Sequence, residues 1–111
     1  MALTSTAIGT SATTIFGPSS GSNAITNIMF CNTIPYNPAS PSTGLAYLTV
    51  HLVKKNGSAT STNMVVNYLP LPAGETFSFE AEKIILDDGD FIQAIASTVS
   101  TLVATVSSLS V

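Results

Sequence analysis

The chain has 111 residues, of which 8% are charged and 45% are hydrophobic, and its formal net charge is −3. A single domain with one core is expected at this length. The only basic residues are Lys54, Lys55 and Lys83, which excludes nucleic-acid binding through clustered phosphate contacts and attraction to an anionic membrane surface. So few charges among many Ser and Thr residues favour a domain that contacts other protein.

The first residues, MALTSTAIGTSATT, have neither a basic segment nor a continuous apolar run, so no signal peptide is predicted. No apolar run approaches the roughly 18 residues of a membrane-spanning helix. Cys31 is the single cysteine, which excludes an intramolecular disulfide, and its apolar neighbours predict a small buried side chain. The expected location is a cytosol, or a larger assembly formed there.

Residues 1–22 are rich in Ser, Thr and Gly and are interpreted as an N-terminal arm with a first strand over residues 11–16. Two interpretations remain for the first ten residues: a frayed terminus, or an arm that reaches a neighbouring subunit. In the second case Ile8 is a candidate contact. Residues 23–111 are predicted to form the sandwich domain.

Residues 24–32 are apolar on both sides of the alternation, which predicts a buried strand. Three prolines in residues 33–43 exclude a helix there and predict an irregular loop. Tyr36 in this loop is a candidate contact, because Tyr combines a large apolar area with a polar tip. The alternative is a plain connection with Tyr36 folded onto its own domain.

Residues 45–55 are the clearest strand, and Asn56-Gly57 predicts a hairpin that returns over residues 62–69. Tyr47 lies on the more polar face of the first strand and is a candidate contact. The alternation assigns two faces to that strand: Ala46, Leu48, Val50 and Leu52 on one, and Tyr47, Thr49, His51 and Val53 on the other.

The remaining sequence alternates short strands with turns. Phe91 and Ile95 are predicted to point outward if Ile92 points inward, which makes both of them candidate contacts. A single helical turn over residues 80–86 is an alternative to a strand there. The predicted strands are 76–80, 83–86, 91–97 and 101–111, with turns at 72–74 and 87–90.

These elements give seven or eight strands with turns every eight to twelve residues and no convincing helix. That spacing is typical of an all-β fold, a single β-sandwich of Ig-like or jelly-roll topology.

The sequence contains no arrangement of residues that indicates a particular chemical reaction. His51 is the only histidine, so a two-histidine metal site is excluded, and no nucleophile-elbow motif is present. Asp87, Asp88 and Asp90 do not match a calcium-binding loop of the EF-hand type and predict a hairpin turn instead. No enzyme activity, cofactor or metal is predicted.

Several segments of the chain, from about residue 24 onward, resemble small β-sandwich virion proteins of tailed bacteriophages, cyanophages among them. The resemblance lies in core and turn residues: Phe30-Cys31-Asn32-Thr33, Leu52-Val53, Leu71-Pro72-Ala73-Gly74-Glu75-Thr76-Phe77, Ile85-Leu86, Gly89-Asp90, Ile92 and Ala94-Ile95-Ala96-Ser97.

This resemblance implies a non-enzymatic structural protein located in the virion. The expected role is that of a capsid decoration (cement) protein that binds the major capsid protein as a homo-oligomer, with a trimer favoured. The alternatives are a tail, neck or fibre component, or a module that binds glycans or a host surface. The candidate interface residues are Ile8, Tyr36, Tyr47, Phe91 and Ile95.

Overall fold

The structure, a computed structural model, describes residues 2–79, 84–99 and 101–110. Within these ranges the chain forms nine β-strands and contains no helix that is long and apolar enough to cross a membrane. The strands are β1 (Ala2–Ala7), β2 (Thr13–Phe16), β3 (Asn23–Asn32), β4 (Ala46–Val53), β5 (Met64–Leu71), β6 (Thr76–Phe79), β7 (Ile84–Leu86), β8 (Phe91–Ala96) and β9 (Leu102–Ser110).

The strands form two antiparallel sheets that pack together. The five-stranded sheet has the order β1-β9-β3-β6, and β7 also pairs with β3; the four-stranded sheet has the order β2-β8-β4-β5. The predicted all-β sandwich is confirmed. The predicted count of seven to eight strands is wrong, because β1, which the sequence did not predict as a strand, pairs with β9 as a full strand. The two strands predicted over 76–80 and 83–86 correspond to β6 and β7, which lie end to end along β3.

The pairing pattern decides between the two predicted topologies. The first half of the chain pairs with the second half in reverse order: β1 with β9, β2 with β8, β3 with β7 and β6, and β4 with β5. The chain is therefore one long hairpin with its apex at residues 54–63, rolled into two sheets. This is jelly-roll topology, in which β6 and β7 together occupy one of the eight strand positions.

The core lies between the sheets and follows the period of two in each strand. In β8, Ile92, Ala94 and Ala96 are buried and the three alternate residues are half-buried, as the sequence predicted. Loops 8–12, 33–45 and 72–75, together with residues 97–99 and 101, form the upper end of the sandwich; loops 17–22, 54–63 and 87–90 form the lower end.

The N-terminal residues are not an arm. β1 pairs with β9 over its whole length, and β2 pairs with β8, so the segment predicted as residues 1–22 contributes a strand to each sheet. The sequence of β1, ALTSTA, is too weakly hydrophobic to predict a strand by itself. Its pairing depends on β9, which offers a long alternating partner that only the tertiary fold brings near.

Two predictions concern residues outside the described ranges. The strand expected over 76–80 is confirmed from Thr76 to Phe79, and Glu80 lies outside the described residues. The alternative helical turn over 80–86 has residues 80–83 outside them, whereas Ile84–Leu86 is a strand.

Candidate interaction surfaces

Both broad faces of the sandwich are free of Asp, Glu, Lys and Arg in the described strands. The described charges lie in loops: five at the lower end, in residues 54–55 and 87–90, and Glu75 at the upper end. Every second residue of a paired strand faces outward, and in the described strands these outward residues are uncharged.

The outer side of the five-stranded sheet, here the five-strand face, carries aliphatic and hydroxyl side chains. It displays Leu3, Met29, Ile85 and Leu109, which are 73%, 40%, 58% and 44% exposed. Between them lie hydroxyls such as Ser5 and Thr105, whose side-chain oxygens are 3.3 Å apart. This face combines exposed apolar groups with hydroxyls.

Cys31 also lies on the five-strand face. The sequence predicted a buried thiol, but the side chain is exposed. The correction follows from the alternation in β3, where Phe30 and Asn32 are buried and Cys31 between them must face outward.

The outer side of the four-stranded sheet, here the four-strand face, carries larger side chains. Ile95 pairs directly with Thr49, and Phe91 pairs directly with Val53. Tyr47 lies two residues before Thr49 on the same strand. Three of the predicted contacts, Tyr47, Phe91 and Ile95, are therefore brought together on one face, each of them half-buried.

A stacked pair of tyrosines is the most distinctive feature of the four-strand face. The rings of Tyr47 and Tyr68 are 4.4 Å apart between centroids and 7° from parallel. Tyr68 is 59% exposed. Stacked aromatic rings present a rigid apolar surface with hydroxyl groups at its rim, which is the property that enriches Tyr at interfaces.

Tyr68 reaches this position through a β-bulge. The pairing passes from Leu48↔Leu69 to Val50↔Val66, so β5 has one extra residue there. Tyr68 adopts φ 54°, a left-handed conformation that is uncommon outside Gly. Uninterrupted alternation along β5 would place Tyr68 on the side of Val66, but the bulge turns it outward, and no sequence signal marks the bulge.

Tyr36 lies in the upper loop and is 55% exposed. The loop is fixed by Asn32, whose side chain is only 1% exposed. The Nδ2 group of Asn32 donates hydrogen bonds to the carbonyl oxygens of Gly44 and Leu71, both at 2.8 Å, and its Oδ1 accepts one from the Ile34 amide at 3.0 Å. Tyr36 therefore projects from an ordered loop.

Ile8 is not a surface contact. Its side chain is 1% exposed and belongs to the core between the sheets. Its amide donates to the Leu102 carbonyl at 2.9 Å, which extends the β1–β9 ladder by one residue. The prediction that Ile8 reaches a neighbouring subunit is therefore wrong.

His51 is buried and has a structural partner. Its Nδ1 lies 2.8 Å from Oδ1 of Asn63, and its exposed fraction is 4%. Asn63 also accepts a hydrogen bond from the Thr60 amide at 3.0 Å and donates one to the Ser58 carbonyl at 2.8 Å. The histidine thus anchors the lower loop 54–63.

The carboxylates of Asp88 and Asp90, in the acidic turn at residues 87–90, accept hydrogen bonds from backbone amides. Asp90 accepts hydrogen bonds from the amides of Lys55 and Asp87, both at 3.1 Å. Asp88 accepts one from the Gly21 amide at 2.9 Å and lies 3.9 Å from the Lys55 ammonium. In the described residues no group of three His, Cys, Asp or Glu side chains is arranged to hold a metal ion.

Comparisons with known proteins found no matching family model, no matching curated protein and no matching solved structure.

Proposed function

We propose that the protein is a non-enzymatic structural subunit of a tailed-phage virion, most specifically a capsid decoration (cement) protein that binds the major capsid protein. The proposal rests on the sequence resemblance, and the jelly-roll topology agrees with it, since this fold is common in viral capsid proteins. The topology is a fold-level analogy and leaves the role to be argued from the surfaces.

The observation that carries the proposal is the confinement of the described charges to loops at the two ends of the sandwich. A charge buried at an interface without a partner is costly to desolvate, and interface centres are depleted of charged residues for this reason. Either broad face of this domain can be covered by another protein without burying a charge that belongs to the described strands.

The proposed contact with the shell is the four-strand face, with Tyr47, Tyr68, Phe91 and Ile95, together with Tyr36 at the upper end. Aromatic side chains supply most of the binding energy at such interfaces, and a stacked pair loses little conformational freedom on binding. The four-strand face therefore has better anchors than the five-strand face, whose exposed apolar side chains, Leu3, Met29, Ile85 and Leu109, are not aromatic.

The area of the four-strand face determines how strongly a single copy is expected to bind. Usual strand spacings give about 20 × 20 Å, or about 400 Å², which is half of the roughly 800 Å² per partner in a standard interface. One copy is thus expected to bind weakly, so stable decoration of a shell requires several linked copies. This agrees with a homo-oligomer, and the trimer expected from the resemblance stays a prediction.

The first test locates the chain in purified particles by cryo-electron microscopy with symmetry averaging. Hundreds of copies on the icosahedral shell are expected for a decoration protein. A few copies at the tail axis would instead support the tail, neck or fibre alternative. Absence of the chain from particles would contradict a virion role.

The second test asks whether the four-strand face, together with Tyr36, forms the contact with the shell. The double variant Tyr36→Ala/Tyr68→Ala is expected to lower occupancy of particles at least tenfold, because it removes two exposed anchors. Ile85→Ala on the five-strand face is the matched control, since it also truncates an exposed apolar side chain. Cys31, also on the five-strand face, should keep its reactivity toward a thiol reagent after binding; its protection would move the contact to that face.

A second candidate function is favoured by the exposed Tyr47–Tyr68 stack. Sugar rings pack against aromatic faces, and jelly rolls also occur in lectins. In this alternative the protein is a module that binds glycans or a host surface. Specific binding on a glycan array that is lost in Tyr68→Ala would favour it over decoration.

A further inference from the structure

Strand β1 is the one edge of the described sandwich without protection against pairing with another strand. A sheet edge exposes unpaired amide and carbonyl groups, and proteins usually block it with Pro, charges, bulges or very short strands. β1 has six residues in continuous register with β9, and its sequence contains no Pro and no charge.

The other edges are protected. β5 contains Pro70, two register shifts and the left-handed Tyr68. β2 has four residues and a register shift. The edge next to β3 is divided between β6 with four residues and β7 with three. The difference isolates β1 as an edge that is able to accept a further strand.

The direction of the free backbone groups of β1 follows from one hydrogen bond. The amide of Ile8 donates to Leu102, its direct partner, at 2.9 Å. Even-numbered residues of β1 therefore point their amide and carbonyl groups toward β9, because the two directions alternate in an antiparallel ladder. The amide and carbonyl groups of Leu3, Ser5 and Ala7 point to the open side.

These three residues are spaced symmetrically about Ser5, which makes the edge self-complementary. We propose that two copies of this chain pair antiparallel through β1 about a two-fold axis at Ser5, which joins their five-stranded sheets into one continuous sheet. Leu3 of one copy then lies opposite Ala7 of the other, and the two Ser5 residues lie opposite each other.

The side chains fit this register on both sides of the sheet. On the outer side, Leu3, which is 73% exposed, gains an apolar neighbour in Ala7 of the second copy. On the inner side, Thr4 of one copy faces Thr6 of the other, a favourable cross-strand pair. A shift of two residues in either direction loses one of the three hydrogen-bonded pairs.

A cleft of about 500 Å³ next to this edge extends the contact. It opens between β1 and β2, and Thr4, Thr6 and Phe16 are among the residues that line it. In the paired arrangement the two clefts face each other across the axis, so the β2 edges also approach. Six residues span about 20 Å, which gives a small interface of the weak class and a dissociation constant of micromolar order or above.

The proposal commits to a second copy because the edge matches itself and carries no charge to select a different partner. The contact is independent of the role proposed above, since it concerns copies of the chain alone. It also differs from a trimer: an isologous contact closes with two subunits.

The test is sedimentation equilibrium up to a few hundred micromolar, together with amide hydrogen exchange at low and high concentration. A monomer–dimer equilibrium is expected, with concentration-dependent protection at the amides of Leu3, Ser5 and Ala7. A monomer throughout, a trimer, or protection elsewhere without these three amides would overturn the proposal.

Two variants give a matched comparison. Ser5→Lys places two ammonium groups side by side on the axis and should weaken dimerisation at least tenfold. Thr76→Lys adds the same charge to an exposed position on β6, at the far side of the same sheet, and should leave it unchanged. Equal effects of the two variants would contradict edge pairing.

Crosslinking provides a positive signal. In a Cys31→Ser background, Ser5→Cys should form a disulfide-linked dimer under mild oxidation, because directly opposed residues in a ladder lie within disulfide range. Thr76→Cys in the same background is the control and should crosslink at least tenfold more slowly. Equal crosslinking rates would overturn the proposal.

Discussion

The two outer faces of the sandwich differ although both are uncharged in the described strands. On the four-strand face, Thr49, His51 and Val53 are 9%, 4% and 2% exposed, so much of this face is covered by its own chain. On the five-strand face, Leu3 and Ile85 remain 73% and 58% exposed. The four-strand face is therefore partly covered by other side chains and loops of the same chain, whereas the five-strand face is not.

The cover has two local causes. The bulge in β5 turns Tyr68 onto Tyr47, and Asn63 ties the lower loop 54–63 to His51. Both features belong to the β4–β5 hairpin, in which β5 has one extra residue at each of two register shifts. The comparison teaches that irregular pairing in β5, which weakens the ladder locally, here brings side chains over the outer face, whereas the β1–β9 ladder, which has no register shift, leaves Leu3 exposed.

The largest effect on stability is expected from replacing Asn63, whose side chain holds loop 54–63 against His51. Asn63→Ala loses hydrogen bonds to Thr60, Ser58 and the buried His51, so it should lower the free energy of unfolding by about 2–3 kcal/mol. Urea denaturation measures this. Asn67→Ala, at an exposed position of the same hairpin, should change it by less than about 0.5 kcal/mol, and equal losses would mean that Asn63 is not an anchor.

A smaller effect is expected at the bulge. Tyr68→Ala removes the ring stack and should destabilise by about 1–2 kcal/mol. Tyr68→Gly also loses the stack but relieves the left-handed backbone, so it should be more stable than the Ala variant by about 1 kcal/mol. Thermal and urea unfolding of the two variants separate the contribution of the ring stack from the strain of the left-handed backbone. Identical stabilities would show that the positive φ carries no strain.

The smallest effects compare equivalent truncations on the two faces. Ile95→Thr on the four-strand face removes a half-buried side chain and should destabilise by about 1 kcal/mol. Met29→Thr on the five-strand face, where Met29 is 40% exposed, should change stability by less than about 0.5 kcal/mol. Thr keeps the strand preference in both cases. A larger loss at Met29 would reveal a covered five-strand face.

Much of the fold could be predicted from the sequence because the strands alternate so regularly. The inward and outward sets of Phe91–Ala96 follow from a period of two, and the three prolines between Thr33 and Thr43 mark a loop. The low overall content of charged residues, 8%, already favoured a domain that contacts other protein. These features depend only on local sequence, so they need no knowledge of the partner strand.

The candidate surfaces were predictable only in part. Tyr47, Phe91 and Ile95 were expected to face outward, and the period of two placed Phe91 and Ile95 on one face, but nothing in the sequence placed Tyr47 on that same face. Ile8 was assigned to a surface arm because the residues around it are small and polar, whereas the structure buries it between the sheets. The error arises because burial depends on which strands become neighbours.

The sequence by itself determined the strand class and the positions of most turns, because each follows from the chemistry of a few consecutive residues. Only the tertiary structure decided that residues 2–7 form an edge strand, that Tyr68 stacks on Tyr47, and that Cys31 is exposed. Each of these depends on pairing between residues far apart in the chain. A bulge of one residue reverses which side chains face outward beyond it, and local patterns carry no record of it.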